Sequence, residues 1–265
     1  MQCRGDNTWK KSCKRMGKIL LGLKIMTITM ITGAGRGIGL SIAQKFYNEG
    51  HNLILLVRSN EQKKYIEKKF DKKKVSIFAG NLTNHTFIKK IAKKTKFVNN
   101  LINNAATRND KEFHKVKKSE LDQLIELNFK SVFFLTQEIT KKMITKKIKG
   151  SVINLSSQLG HIAAYNRTAY CSSKFAIEGF TKAAALDLSK YGIRVNSVAP
   201  TKTIASNDRA LNKKDRLNII KKKIPLNKFT TKEDLAEICY FLTTEACKNI
   251  SGTSIKVDGG WTAGY

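Results

Sequence analysis

Tyr170 and Lys174, in the segment Tyr170-Cys171-Ser172-Ser173-Lys174, are the side chains best placed to do chemistry. A spacing of four puts a phenol and an ammonium on one face of a helix. A free phenol has a pKa of about 10, too high for a base at neutral pH. A nearby ammonium favours the phenolate and is expected to pull that pKa toward the working range. The pair alone reads better as a solvated helix face, since Tyr-x-x-x-Lys is common by chance. Ser157 shifts the balance. It lies just past the apolar run Ser151-Val152-Ile153-Asn154-Leu155. In a wound parallel sheet, ligands sit outside the carboxyl ends of the strands. A hydroxyl there can hold a carbonyl or alkoxide oxygen. Another apolar run ends in Asn103-Asn104-Ala105-Ala106, whose small residues leave room for a ribose.

The second cluster is Thr32-Gly33-Ala34-Gly35-Arg36-Gly37-Ile38-Gly39. Glycine lets the backbone turn sharply and approach a pyrophosphate with no Cβ in the way. A following helix N-terminus offers free N–H groups and partial positive charge. A glycine cluster alone is also consistent with a tight turn; its place between a first strand and a first helix points to a dinucleotide. The next strand ends Leu56-Val57-Arg58-Ser59, without the acid that would grip a free ribose 2′-hydroxyl. Arg58 and Arg36 could instead face a 2′-phosphate. NADP(H) is therefore favoured and NAD(H) possible. The alternative for Arg58 is a solvated residue of a basic protein.

The elements that must position these groups alternate. Strands are expected over 27–32, 52–57, 75–79, 97–102, 151–155, 193–198 and 254–257. Helices are expected over 38–48, 61–70, 85–94, 119–147, 168–191 and 232–243, while the polar, Lys-rich stretch 201–230 is not assigned. Asn52–Val57 (NLILLV) is continuously apolar, as in a strand buried on both faces. Alternating strands and helices imply βαβ units and a parallel sheet. The reading is one doubly wound α/β domain of about seven strands over 25–265, preceded by a basic extension over 1–24.

Composition bounds the answer. The chain has 265 residues, of which 41% are hydrophobic, enough for a core of one ordinary domain. Five scattered cysteines without C-x-x-C spacing support neither a zinc ribbon nor a disulfide scaffold, so a reducing, cytoplasmic setting is the simplest reading. No metal site is expected from His51, His85, His114 and His161; His161 is expected on a loop surface. The apolar stretch 19–31 is too short and broken to span a membrane, which takes ~20 apolar residues. Residues 1–24 could be an import peptide, but read better as a start placed too early, with Met26 opening the first strand.

Taken together, the ordered motifs resemble the short-chain dehydrogenase/reductase family over residues 27–265. They include the glycine loop at 32–39, Asn103-Asn104-Ala105, Asn128, Ser157, and the Tyr170/Lys174 pair. Arg194-Val195-Asn196-Ser197-Val198-Ala199-Pro200 and the ending Ser251-Gly252-Thr253…Val257-Asp258-Gly259-Gly260 complete them. The resemblance implies a Rossmann-type fold and four catalytic positions. Tyr170 would give or take a proton, Lys174 would hold the nicotinamide ribose, Ser157 would orient the substrate oxygen, and Asn128 would hold a relay water. Gly33, Gly35, Arg36, Gly37, Ile38 and Gly39 would cradle the dinucleotide. Asn81, Leu82, Asn104 and Ala105 would wall its adenine and ribose, and Pro200 and Thr203 would flank its carboxamide. Departures are Ala106 for the family's glycine, Asn81 for an acid, and Thr201 after Pro200. Ala106 is tolerable only if its φ stays negative.

The implied reaction is reversible hydride transfer between a nicotinamide and a carbonyl or alcohol carbon. The implied substrate is a 3-oxoacyl group carried on acyl carrier protein, an acidic partner that a basic surface would steer, or alternatively a sugar or polyol. Family members usually form tetramers through two long helices, so a homo-oligomer is expected. Fifty Lys and Arg against twenty Asp and Glu give a formal charge of +30. A nucleic-acid-binding protein is the rival class. It would need a basic stripe with stacking aromatics, whereas Phe46, Phe133, Phe134 and Phe180 read as core. A catalytically dead scaffold is disfavoured by the presence of all four catalytic residues.

Overall fold

The computed structural model describes residues 26–203 and 222–264. The expected extension over 1–24 lies outside the described residues, as do residues 204–221 of the unassigned stretch. The strands are β1 Ile28–Thr32, β2 Asn52–Val57, β3 Val75–Ala79, β4 Asn100–Asn103, β5 Ser151–Leu155, β6 Arg194–Pro200 and β7 Ser254–Val257. They form one sheet in the order β3-β2-β1-β4-β5-β6-β7, and every neighbouring pair is parallel. The described helices are α1 Gly37–Asn48, α2 Asn60–Glu67, α3 His85–Lys94, α4 Lys118–Ile125, α5 Ser131–Thr145, α6 Thr168–Ser189 and α7 Lys232–Phe241.

Strand alternation makes two cores from one sheet. Ile31, Leu53, Leu55, Ile102 and Ile153 face one side, against Ile42 and Phe46 of α1 and Leu235 of α7. Met30, Ile54, Leu56, Leu101 and Val152 face the other, against Ile88 of α3, Leu135 and Ile139 of α5 and Ala184 of α6. Burial on both faces explains why β2 (NLILLV) reads as a continuous apolar run. Strand order reverses between β1 and β4, and such a switch point opens a crevice at the strands' carboxyl ends.

Three elements differ from the sequence expectation. Residues 119–147 are not one helix: a π-helical turn, Glu126–Lys130, separates α4 from α5. Residues 97–99 precede β4 rather than forming its first half. Asn99 brings the chain in by capping Ile28, its Oδ1 accepting from Ile28 N–H at 2.9 Å. β6 runs on to Pro200 because β7 pairs with it there, Ala199 beside Lys256 and Pro200 beside Val257.

Candidate active site

The glycine turn joins β1 to α1 at the switch point. Gly33 (φ +65°) and Gly37 (φ +56°) take the left-handed conformation that glycine permits without strain. A Cβ on Gly39 would sit 2.3 Å from the Gly33 carbonyl oxygen, so the turn and helix are packed too closely for any side chain. Gly37 is the opposite case, with nothing within 4 Å of where its Cβ would point. A tight turn facing open space at a helix N-terminus suits a pyrophosphate.

Asn104 locks this turn. Its Nδ2 donates to the carbonyls of Thr32 (3.0 Å) and Gly33 (3.2 Å), while Thr32 Oγ1 accepts from the N–H of Asn104 (2.9 Å) and Ala105 (3.0 Å). Ala106 is not among the positive-φ residues, so the family's glycine is not required there.

Along the carboxyl ends of β4, β5 and β6 runs a cleft of about 1320 Å³. That exceeds the ~300–1,000 Å³ of a typical single-ligand pocket. Ile38, Asn104, Ser157, Tyr170, Lys174, Pro200 and Thr203 all line it. β5 delivers Ser157, whose Oγ also accepts from Leu159 N–H at 3.1 Å and so caps a short turn. The first turns of α6 deliver Tyr170 and Lys174. Lys174 is buried and donates to the Leu155 carbonyl at 2.7 Å. Buried oxygens of Ser156, Gln158 and Thr201, residues that line the same cleft, have no partner among the described residues.

The electrostatics correct one expectation. The Tyr170 phenol is raised above its ordinary pKa because burial disfavours the phenolate, and Lys174 is not what opposes this. A hydrogen bond from Ser157, then the charges of Arg108 and Arg167, draw it down. The ammonium is instead turned to the Leu155 carbonyl, 5.6 Å from the centre of the Tyr170 ring. Lys174 itself is lowered to about 8 by desolvation, with Glu178 opposing. At neutral pH the site thus holds a protonated phenol beside a protonated amine.

Asn128 sits in the π turn and is buried. Its side chain is fully engaged: Oδ1 accepts from Thr107 N–H (2.8 Å), and Nδ2 donates to the Thr107 carbonyl (2.8 Å) and to Ser173 Oγ (3.1 Å). It therefore ties the segment after β4 to α6.

Residues 33–262 match the family described as enoyl-(acyl carrier protein) reductase. The 3-oxoacyl-[acyl-carrier-protein] reductase FabG of Staphylococcus aureus is 32% identical over 245 residues, 90% of this chain and 99% of that protein. FabG of Rickettsia prowazekii is 33% identical over 232 residues, covering 88% and 95%. A solved structure titled 4-hydroxyisoleucine dehydrogenase complexed with NADH superposes with a TM-score of 0.83 at 28% identity, over 90% of this chain and all of that one. The chain belongs to the short-chain dehydrogenase/reductase family. It is an oxidoreductase of that family, built for hydride exchange with a nicotinamide dinucleotide.

The other family positions fall as follows. Arg36 and Arg58 are both exposed beside the glycine turn, and among the described residues neither pairs with a carboxylate. Gln62, which sequence reasoning missed, links Arg58 to the glycine turn: its Oε1 accepts from Arg58 N–H at 3.0 Å, and its side chain packs where a Gly35 Cβ would point. Asn81 is exposed and folds onto its own turn, accepting from Thr83 N–H at 3.0 Å. The Leu82 side chain belongs to the core, and Leu82 is not among the residues that line the cleft. His161 is not on a loop surface. Its Nε2 lies 3.0 Å from Ser254 Oγ and 3.2 Å from Glu178 Oε1. Arg108 and Arg167 were also missed; both line the cleft, and both approach Asp110. Only Glu178 carried a sequence signal, an acid one turn beyond Lys174 on an apolar stretch of helix.

Proposed function

We propose that the protein reduces the ketone of a 3-oxoacyl thioester carried on acyl carrier protein, with NADPH preferred over NADH. The observation that carries this reading is the convergence of Ser157, Tyr170 and Lys174 on one wall of a cleft that opens beside the glycine turn. The names of the curated relatives support the substrate class. The exposed guanidiniums of Arg36 and Arg58, which pair with no carboxylate among the described residues, stand where an acid would select a free 2′-hydroxyl and so support the phosphorylated dinucleotide.

The dinucleotide, when bound, supplies the hydride. The chain does the rest. Gly33–Gly39 and the N-terminus of α1 hold the pyrophosphate, and Asn104 keeps that turn in shape. The Lys174 ammonium is within the cleft to bind a ribose hydroxyl. Ser157 and Tyr170 hydrogen-bond the substrate oxygen, so negative charge developing there meets two donors, as in an oxyanion site. The Tyr170 hydroxyl passes its proton to that oxygen, and its raised pKa keeps the proton in place until then. The Asn128 side chain is committed to Thr107 and Ser173, so any relay water at Asn128 rests on its backbone in the π turn.

A sugar or polyol is the second reading. It is favoured by the partnerless buried oxygens of Gln158 and Thr201, which could accept from substrate hydroxyls. A panel of acetoacetyl-CoA, sugar lactone precursors and polyols with both nicotinamides separates the two. Turnover of the thioester with NADPH at least tenfold above the rest is expected; polyol oxidation alone overturns the proposal. Arg58→Glu should lower kcat/KM for NADPH by about tenfold or more, the scale of one charge-assisted contact, and leave NADH nearly unchanged. An unaltered ratio shows that Arg58 does not read the phosphate.

A further inference from the structure

We propose that Glu178, clamped by His161, Ser197 and Ser254, is a positioning residue: a buried counter-charge that keeps the Lys174 ammonium protonated where it meets the dinucleotide. This rests on the reading that Lys174 binds the nicotinamide ribose.

Lys174 is only 3% exposed, and its one hydrogen bond is to a neutral carbonyl. A carbonyl offsets little of the cost of desolvating an ammonium; an opposite charge offsets more. Glu178 is one helical turn further along α6 and only 7% exposed. A spacing of four places both on the same helix face. No ion pair closes between them. A closed pair would occupy the ammonium's donors, whereas a charge held behind it favours the protonated state and leaves those donors for a ribose. The depressed pKa of Lys174, opposed by Glu178, agrees with this arrangement.

The carboxylate is fixed from three elements. Ser197 of β6 donates to Oε2 at 2.7 Å, Ser254 of β7 donates to Oε1 at 3.1 Å, and His161 Nε2 from the turn after β5 lies 3.2 Å from Oε1. The same turn packs on α6 so closely that a Gly160 Cβ would lie 3.0 Å from the Lys174 carbonyl oxygen and 3.1 Å from Glu178 Cγ. The charged and titratable groups around Glu178 are therefore Lys174 from its own helix and His161 from the turn, while β6 and β7 present the hydroxyls of Ser197 and Ser254. Tyr170 faces Lys174 from the preceding turn of α6, and Arg108 and Arg167 act on Tyr170 from the cleft mouth.

The test is the pH dependence of NADPH and NADH affinity, read by fluorescence without any carbonyl substrate. In the native protein, affinity should weaken with a midpoint near the Lys174 pKa of about 8. Glu178→Gln should move that midpoint to lower pH by about one unit, the scale of one charge acting across a protein interior. Glu178→Asp, which keeps the charge, should restore most of the shift. If Glu178→Gln does not fold by circular dichroism, Glu178→Met is the neutral replacement of similar length. A folded neutral variant whose affinity falls equally at all pH values, with the midpoint unmoved, overturns the proposal. Because no carbonyl is reduced, that result leaves the reductase reading intact; a failed substrate panel likewise leaves this one intact.

Discussion

Tyr170 meets opposing influences whose balance sets its proton. Burial raises its pKa, and Ser157, Arg108 and Arg167 lower it. In the proposed mechanism, removing the Ser157 hydroxyl deletes a donor to the substrate oxygen as well as the hydrogen bond that lowers the phenol's pKa. Ser157→Ala is expected to lower kcat by about 10²–10³, as loss of an oxyanion donor does, with little change in dinucleotide affinity; steady-state kinetics with parallel binding checks this. Lys174 gives a pH prediction for stability. Its folded pKa of about 8 lies below the 10.5 of an exposed lysine. Below pH 8 the folded and unfolded chains both hold the proton, so the burial penalty stands in full. Between pH 8 and pH 10.5 the unfolded chain holds more of the Lys174 proton, so the contribution of this residue to stability rises with pH by up to on the order of 3 kcal/mol. Lys174→Met should remove that rise, seen as a flatter melting-temperature profile over the same range. The candidate side chains Ser157, Tyr170 and Lys174 could be picked out because their types and spacing are local. The phenol's pKa was not, since burial and the approach of Arg108 and Arg167 arise only when distant segments meet.

At the scale of elements, the glycine turn separates packing from binding. Gly39→Ala would drive a Cβ to 2.3 Å from the Gly33 carbonyl oxygen, so it should displace α1 from β1 and destabilise the protein by ~1–3 kcal/mol. Gly37→Ala meets open space but must hold φ at +56°. It should cost only about 1–2 kcal/mol and chiefly weaken dinucleotide binding. Chemical denaturation and binding measured on both variants distinguish these outcomes; equal effects would contradict the geometry. β2 was legible as an apolar run because a doubly covered parallel sheet leaves it no solvent face, and the other strands were placed by their alternation with helices. The π turn was not, because the composition of 119–147 reads as one continuous helix. It is recognised only from Asn128 turning inward to bond Thr107 and Ser173. Such turns recur at functional sites, and this one places Asn128 behind the catalytic helix.

For the whole molecule, the sequence already implied a doubly wound sheet, and the family assignment argues against nucleic-acid binding as the sole role of the +30 charge. Assembly is a separate matter. Phe133 of α5 (39% exposed), and Phe175 (49%) and Leu186 (77%) of α6, expose large apolar side chains on the two long helices. Apolar side chains on neighbouring helices suit a protein–protein contact, and the prediction is that copies of this chain meet there. Sedimentation should show a dimer or tetramer, and Phe175→Glu with Leu186→Glu should yield monomers. A monomeric native protein would contradict this assembly.

The central claim is that Tyr170 gives the proton that completes hydride transfer. It is tested most directly by Tyr170→Phe, with single-turnover oxidation of NADPH by acetoacetyl-CoA measured beside dinucleotide affinity. The expected result is a loss of about 10²–10⁴ in rate, the usual worth of a general acid, with affinity changed by less than about threefold. Near-native turnover by this variant would contradict the account.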